Sequence, residues 1–568
     1  MKIMLDGIAV EADAGESLLT LLRRAGLDEP ALQKKPLAAQ IGGEVYNLNI
    51  DPIHLEESGI ARPRKAVEKA QGCIKLLRYG DDLGHRVYER TLQYVLLLAV
   101  RRLMPEARVV VRYSLGPGLY VTMDKSPRLN EEDVKRLVEE CRRIIQADLP
   151  LRRERLDIRQ AIDFYKAEGQ IDKVRLLKWR KFNYFDCYRQ GDYLDYFYGE
   201  MAPSTGYVNV FDLYFQGPGM IMALPDLNAP DRPGKCVNVP KLASVFAQSD
   251  EWGRLLHCAN VADLNDMVQN GKVRELVRVS EALHEKSYAA IADSIVRRSA
   301  RAVMVAGPSS SGKTTSANRL YTQLRVLGKN PVLLSLDNYY IDRDQIPVDE
   351  KGDRDLEHIE TLDIPRFNQD LELLIAGEEV EVPVFDFKTG KRAPKGIHIQ
   401  VGKEEPLIIE GIHGLNPRML SPAIPKDSVF RVYVSALTTL NLDDHNRIRT
   451  TDVRLLRRMV RDHETRGASV EHTLSMWPSV QRGEQTWIFP YQEQADALMN
   501  TALMYEPCVL KKHIFPLLLE VQPESPYYAA ARSIIKFLNY IQDADIEDEI
   551  PPTSILREFV GGNTFYRD

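Results

Sequence analysis

Apolar positions fall in several distinct textures along the chain. Residues 1–60 carry short alternating runs in KIMLDGIAVEADAG and LAAQIGGEVYNLNID, with Asp6-Gly7 and Gly42-Gly43 as hairpin signals. Between them SLLTLLRRAG has helical spacing, with Ser17 placed to cap its start and Gly26 to stop it. A small β-grasp-like α+β module is expected there. From about residue 70 the runs lengthen: 86–104 is apolar at helix period, 108–124 reads as two strands around Gly-Pro-Gly, and 131–147 as an amphipathic helix. Glu131 and Glu132 fall in that helix's first turn, where the helix dipole favours them. Residues 175–225 are rich in tyrosine and phenylalanine, which we read as strand or core residues with satisfied hydroxyls.

A proline- and glycine-rich stretch, 226–240, predicts an interdomain connection. Helices are expected near 262–270 and 274–298, followed by the strand AVMVAG. From 300 to about 520, apolar strands alternate with amphipathic helices, the pattern of a parallel α/β sheet. The tail after 540 is acidic, then punctuated by proline and glycine.

At roughly 150 residues per domain, the 568 residues imply three to four domains. Composition, 44% hydrophobic and 27% charged, excludes a disordered chain or a coiled-coil rod. The formal charge of −6 offers no global basic field, so any polyanion site must be local. Tyr94 to Val100 is far shorter than the ~20 residues a membrane helix needs, and the first residues lack the apolar core of a signal peptide. Cysteines 73, 141, 187, 236, 258 and 508 form no CxxC pair and read as reduced thiols. A cytoplasmic protein without a membrane partner is expected.

The strongest local signal is Gly307-Pro-Ser-Ser-Ser-Gly312-Lys313-Thr314, a GxxxxGK[ST] loop between an apolar strand and a helix. Gly307, Ser309, Ser310, Ser311 and Gly312, with Thr315 behind them, would wrap backbone N–H groups around phosphates at the helix N-terminus. Lys313 would neutralise β- and γ-phosphate oxygens and Thr314 would ligate Mg²⁺, so ATP and Mg²⁺ are the expected cofactors. Asp337 closes the next apolar run and Glu410 a later one, both at strand ends that line the crevice of such a sheet. A carboxylate there can take a proton from an acceptor hydroxyl or hold the metal, and Asp337 suits either. Arg447, Arg449, Arg454, Arg457, Arg458, Arg461 and Arg466 crowd one stretch, and 454, 458 and 461 share a helix face. We read them as a lid over phosphates; the alternative is a solvated face paired with Asp452, Asp462 and Glu464.

Residues 300–500 resemble the uridine kinase branch of the uridine kinase/phosphoribulokinase family. The resemblance rests on GPSSSGKTT, LDNYY, Asp355 to Asp363, PVFDFKTGKR, IIEGIHGL and RLLRRMVRDHETRG, in that order. It implies Asp337 as catalytic base for a nucleoside 5′-hydroxyl, with Lys313, Arg458 and Arg461 assisting the transfer. It further implies Thr314, Glu410 and Asp337 near Mg²⁺, Arg466 over the nucleotide, and Glu357 at the ribose. Phe385, Arg392, Arg458 and Met476 fall at substrate-contacting positions. Where the family's PxYDFxxHSR has tyrosine and histidine, this chain has Phe385 and Gly390, and a base-contacting glutamine aligns with Met476. Losing polar partners relaxes or changes the choice of base.

The front half resembles threonyl-tRNA synthetase: residues 1–60 its TGS module and about 70–225 its editing domain, through LLLAVRRLMP, GPGLYVTMD, YKAEGQIDKVRLL and YFYGEMAPSTGYV. The family's HxxxH and CxxxH metal-type ligands align with Arg90, Tyr94, Phe197 and Met201, none of which replaces imidazole or thiolate, so no metal and no hydrolytic editing are expected. The expected fold is multidomain α/β: a TGS-like β-grasp module (1–60), an editing-like α+β domain (61–225), a linker with helices (226–295), a P-loop kinase domain (296–520), and a C-terminal helix and tail (521–568). The expected activity is ATP-dependent phosphorylation of a nucleoside. The alternatives are an RNA- or tRNA-linked regulator using the P-loop as a switch, or a sugar-phosphate kinase of the phosphoribulokinase type. The front modules would take RNA or a regulatory ligand, or serve a structural or dimerising role.

Overall fold

The computed structural model describes residues 2–53, 74–346, 348 and 354–565. The expected boundary near residue 60 and Cys73 lie outside the described residues. Strands Lys2–Leu5 and Ile8–Glu11 pair antiparallel across Asp6-Gly7, whose φ values of +46° and +85° are those of a two-residue hairpin turn. Ser17 caps helix Leu18–Arg24 by accepting from the Thr20 backbone N–H, and Leu18, Leu21 and Leu22 bury against Ile3, Leu5 and Ile41. Strand Ala38–Ile41 lies between Glu44–Tyr46 and Lys75–Leu77.

Helix Asp82–Leu103 starts four residues earlier than its apolar spacing indicates and is the spine of the second unit. It shares a core with helix Glu131–Gln146 and with a four-stranded antiparallel sheet ordered Asp212–Gln216, Gly219–Ala223, Gly118–Asp124, Arg108–Leu115. A second sheet holds Arg153–Asp157, Tyr184–Gln190 and Tyr193–Asp195. Tyr188 and Tyr193 of this region are core residues with bonded hydroxyls, Tyr188 donating to Glu200 (2.9 Å) and Tyr193 to Asp195 (2.7 Å), whereas the buried Tyr207 hydroxyl has no hydrogen-bond partner among the described residues.

No helix or strand occupies residues 224–239, but the helices after it, Pro240–Leu255 and Val273–Arg297, pack on the C-terminal unit. That unit is built on a five-stranded parallel sheet in the order Val332–Ser335, Leu407–Glu410, Ala302–Ala306, Val429–Ser435, Ala497–Asn500. Every residue of the central Ala302–Ala306 is buried, as parallel strands covered on both faces require.

The two halves share one continuous apolar core: Tyr165, Leu177 and Phe185 pack in the same cluster as Val303, Leu320 and Val432. The segment after strand Val429–Ser435 is gripped by the front half. Lys173 and His445 converge on buried Asp195 at 2.5 and 2.6 Å, and the Tyr196 hydroxyl bonds to Asp443. No helix among the described residues is long and apolar enough to cross a membrane.

Candidate active site

The loop after strand Ala302–Ala306 wraps the start of helix Lys313–Val326. A side chain at Gly307 would come within 1.9 Å of the Val434 carbonyl, and Gly312 takes the left-handed conformation at φ +86°. Both positions therefore demand glycine. The Ser309 backbone N–H donates to Glu484 (2.9 Å), its carbonyl accepts from Arg454 Nε (2.9 Å), and its hydroxyl pairs with Arg458 Nη1 (2.9 Å). Thr501 donates its hydroxyl to the Ser311 carbonyl at 2.6 Å. The loop is thus held from behind by helices Thr450–Arg466 and Val470–Trp487.

The chemistry of this cradle fits a triphosphate. The buried Ser310 and Ser311 hydroxyls have no hydrogen-bond partner among the described residues, and Lys313 Nζ reaches only the Pro308 carbonyl at 3.2 Å. Thr314 follows Lys313 in the first turn of the helix.

The strand expected to end at Asp337 ends at Ser335, and Asp337 sits just beyond it in a 3₁₀ turn, Leu336–Tyr339. The Ser335 hydroxyl accepts from the Asp337 backbone N–H (3.3 Å) and donates to Glu410 (2.8 Å), so one side chain fixes the turn that carries Asp337 and orients the Glu410 carboxylate. Burial pushes the Asp337 carboxyl up, while Lys313, Arg466 and Arg461 pull it down. Burial and the Asp337 charge raise Glu410 to about 7. Among the described residues no group of three or more His, Cys, Asp or Glu side chains could hold a metal. Mg²⁺ on a nucleotide needs only one or two carboxylates besides phosphate oxygens, and Glu410 with Asp337 supplies that set.

Glu357 is raised to about 7 by burial and the neighbouring Glu484. It packs so closely on helix Val470–Trp487 that a Cβ at Gly483 would fall 2.3 Å from its own. Phe385, Tyr340 and Phe387 form an aromatic trio with ring centroids 5.2–6.1 Å apart. Gly390 takes the left-handed conformation at φ +70°, which favours glycine over the histidine of the resemblance, and the flexible Arg343 side chain lies over it, its Cδ 2.5 Å from where a Cβ would be. Met476 is half-buried on helix Val470–Trp487, beside Trp477.

Two groups of site residues have different surroundings from those expected. Arg392, read as a substrate contact, spends its guanidinium on the Tyr340 carbonyl (2.9 Å), the Tyr339 carbonyl (3.0 Å) and Asp363 (3.1 Å), bracing the LDNYY turn. The arginine stretch divides. Arg447 and Arg449 lie outside the helix core and pair with Glu89 of the front half at 3.3 and 2.9 Å. Arg454 and Arg457 are fully buried on Glu484 and Glu506. Arg458, Arg461 and Arg466 remain, gathered on Asp462 at 2.9–3.3 Å, with Arg461 and Arg466 also acting on Asp337.

Glu484 and Glu558 carry no sequence signal for this site, yet both touch the loop region. Glu558, in the short tail helix Arg557–Val560, accepts from the Thr315 backbone N–H (3.3 Å) and hydroxyl (2.7 Å). Ile555 sits against Gly312, 2.9 Å from where its Cβ would be. A tail carboxylate thus holds donors at the helix N-terminus that a phosphate would use. Glu558→Gln is expected to tighten ATP binding several-fold in equilibrium titrations; unchanged or weaker binding would show that the contact does not compete.

This geometry is that of a P-loop nucleotide-binding fold: a phosphate-type loop between the central strand of a parallel sheet and a helix. Residues 302–504 match the sequence model of the Phosphoribulokinase / Uridine kinase family. The front half matches threonine–tRNA ligases. That of Carboxydothermus hydrogenoformans is 30% identical over 196 residues, 34% of this chain and 28% of that one. That of Syntrophomonas wolfei subsp. wolfei is 29% identical over 202 residues, 35% of this chain and 29% of that one. The chain therefore spans less than a third of these relatives' length. A solved structure described as a possible uridine kinase from Bacillus stearothermophilus aligns at 16% identity and TM-score 0.25, over 35% of this chain and 89% of that one.

Proposed function

We propose that the chain transfers the γ-phosphoryl group of ATP to the 5′-hydroxyl of a nucleoside. The observation that carries the reading is the placement of Asp337 beside Glu410 and in the field of Lys313, at the strand ends facing the phosphate loop. Asp337 accepts the 5′-hydroxyl proton, the oxygen forms a bond to the γ-phosphorus, and the bond to the bridging oxygen breaks to release ADP. Lys313, Arg461 and Arg466 offset the charge that spreads over the phosphoryl oxygens. When bound, Mg²⁺ neutralises the phosphates, with Glu410, Asp337 and Thr314 the groups that would hold it. Ordered guanidinium groups over the loop exclude water, which otherwise diverts ATP to hydrolysis.

A nucleoside acceptor is supported by the trio Tyr340, Phe385 and Phe387, a set of ring surfaces suited to stacking on a planar base. Stacking is tolerant of base identity, so the acceptor range is expected to be broader than hydrogen-bond readout would allow. Glu357 would accept ribose hydroxyls as a carboxylate. Since its folded-state value is raised to about 7, it is ionised above that pH and protonated below. The acceptor KM is expected to rise by up to about tenfold between pH 8 and pH 6, the span over which the carboxylate is lost. Glu357→Gln should hold KM high at both pH values. A wild-type KM flat over this range would remove Glu357 from the acceptor site. The overall test is acceptor-dependent ADP release with identification of a nucleoside 5′-monophosphate.

A further inference from the structure

A cleft of about 1020 Å³, counting its open mouth, lies between the front half and helix Tyr528–Leu538 of the C-terminal extension. A neighbouring hollow of about 470 Å³ shares its Arg532, Lys536 and Gly199 walls and adds Arg90. Neither the phosphate loop nor Asp337 lines either space. The proposed kinase chemistry leaves both unused.

Three cations converge here without a bonded carboxylate among the described residues. Arg90 stands where the synthetase resemblance has a metal-type histidine, and among the described residues its one hydrogen bond goes from Nε to the Glu200 carbonyl at 3.0 Å. Its guanidinium lies flat on the backbone at Gly199, where a Cβ would come within 2.8 Å of Cζ. Arg532 Nε is buried and has no hydrogen-bond partner among the described residues. Lys536 is solvent-exposed at the cleft wall, and it has no ion pair among the described residues. Burial lowers Arg90 to about 10 and pushes Arg532 down as well. The Glu200 carboxylate is already taken by Arg153 (2.6 Å) and the Tyr188 hydroxyl (2.9 Å). Glu44 also faces the cleft and acts on both Arg532 and Lys536, so the surplus is of cations over acids and not the absence of acids.

Cations crowded into one cleft without bonded carboxylates repel one another unless something anionic meets them. The remaining wall is aromatic, with Phe182, Tyr184 and Tyr198 lining the larger space. Guanidinium and ammonium groups beside ring faces, in a cleft of ligand size, suit a molecule with a phosphate at one end and a planar ring at the other. We infer that this cleft, formed jointly by the editing-like unit and the C-terminal helix, binds a nucleotide at a site separate from the phosphate loop. Its position has a structural consequence: Arg86, one turn before Arg90, pairs with Asp452 (2.8 Å) at the start of the arginine helix.

The test uses the full-length protein with its phosphate loop saturated by a non-hydrolysable ATP analogue. AMP, UMP, CMP and GMP are then titrated by calorimetry, with a short single-stranded RNA in parallel. Saturable binding of at least one monophosphate is expected, weakened at least tenfold by Arg532→Glu/Lys536→Glu, with affinity for the ATP analogue unchanged. Stronger binding of the RNA than of any monophosphate would assign the nucleotide to a chain end, provided the double variant abolishes it too. Lys536→Met alone, a milder change, should weaken binding several-fold if the double variant unfolds. Absence of saturable binding by monophosphates and RNA alike, or binding that these variants leave untouched, overturns the inference.

Discussion

Asp337→Asn is expected to lower turnover by about 10²–10⁴-fold while ATP still binds, the range that loss of a positioned general base typically costs. The substitution keeps the shape of the side chain and the backbone bond to Ser335, so the turn that carries it should persist. It removes proton uptake as the 5′-oxygen attacks, together with the carboxylate charge that would help hold Mg²⁺. Lys313, Arg461 and Arg466 remain and, with one opposing charge gone, still favour the triphosphate. Single-turnover kinetics separate the two effects, since binding and chemistry are read in the same experiment. Turnover unchanged from wild type would place the base elsewhere.

Arg454→Met should be the most damaging change to stability in the loop region. Arg454 and Glu484 are each about 1% exposed and bonded to one another, and both hold Ser309, one through its carbonyl and one through its N–H. Methionine fills the space but leaves a carboxylate buried with its main partner gone, which costs about 3–5 kcal/mol in comparable buried pairs. Thermal unfolding should shift down by several degrees, and ATP affinity should fall because the loop loses one of its struts. Arg454→Met/Glu484→Leu should recover most of the stability, because no charge is left stranded, without recovering the affinity. A melting temperature equal to wild type would show that the pair contributes little.

These two residues mark where sequence reading succeeds and where it stops. The phosphate loop and Asp337 are legible because their chemistry is local: a strand, a glycine turn and a helix start are contiguous in the chain. Ser17, Asp6-Gly7 and the helix Glu131–Gln146 are legible for the same reason. The arginine stretch is not. Its helical face is readable, but whether a guanidinium faces phosphate or a buried acid depends on Glu89, Glu484 and Glu506, the first of which lies some 360 positions away. Arg392 shows the same limit, since its partners are two backbone carbonyls and Asp363. Glu558 reaches the loop only because the tail packs Ile555 and Phe559 into the core, a tertiary event with no local pattern. Domain edges blur likewise: the periodicity that separates 61–225 from 296–520 is blind to an apolar core running through both.

The replaced base contacts gain a physical account. Gly390 suits the left-handed backbone at φ +70°, and Phe385 joins two other rings where the resemblance would place a tyrosine hydroxyl. On the proposed nucleoside reading, a pocket with ring faces in place of hydrogen-bond donors would read the presence of a base more than its identity.

The central claim is acceptor-dependent phosphoryl transfer. The direct measurement is ADP release by the purified chain with Mg²⁺ and ATP, across the common ribo- and deoxyribonucleosides with ribulose 5-phosphate included, with Asp337→Asn as control. The account predicts ADP release that rises with one or more nucleosides, yields the 5′-monophosphate, and falls by orders of magnitude in the variant. ADP release that ignores every nucleoside, or that responds to ribulose 5-phosphate alone, would contradict it.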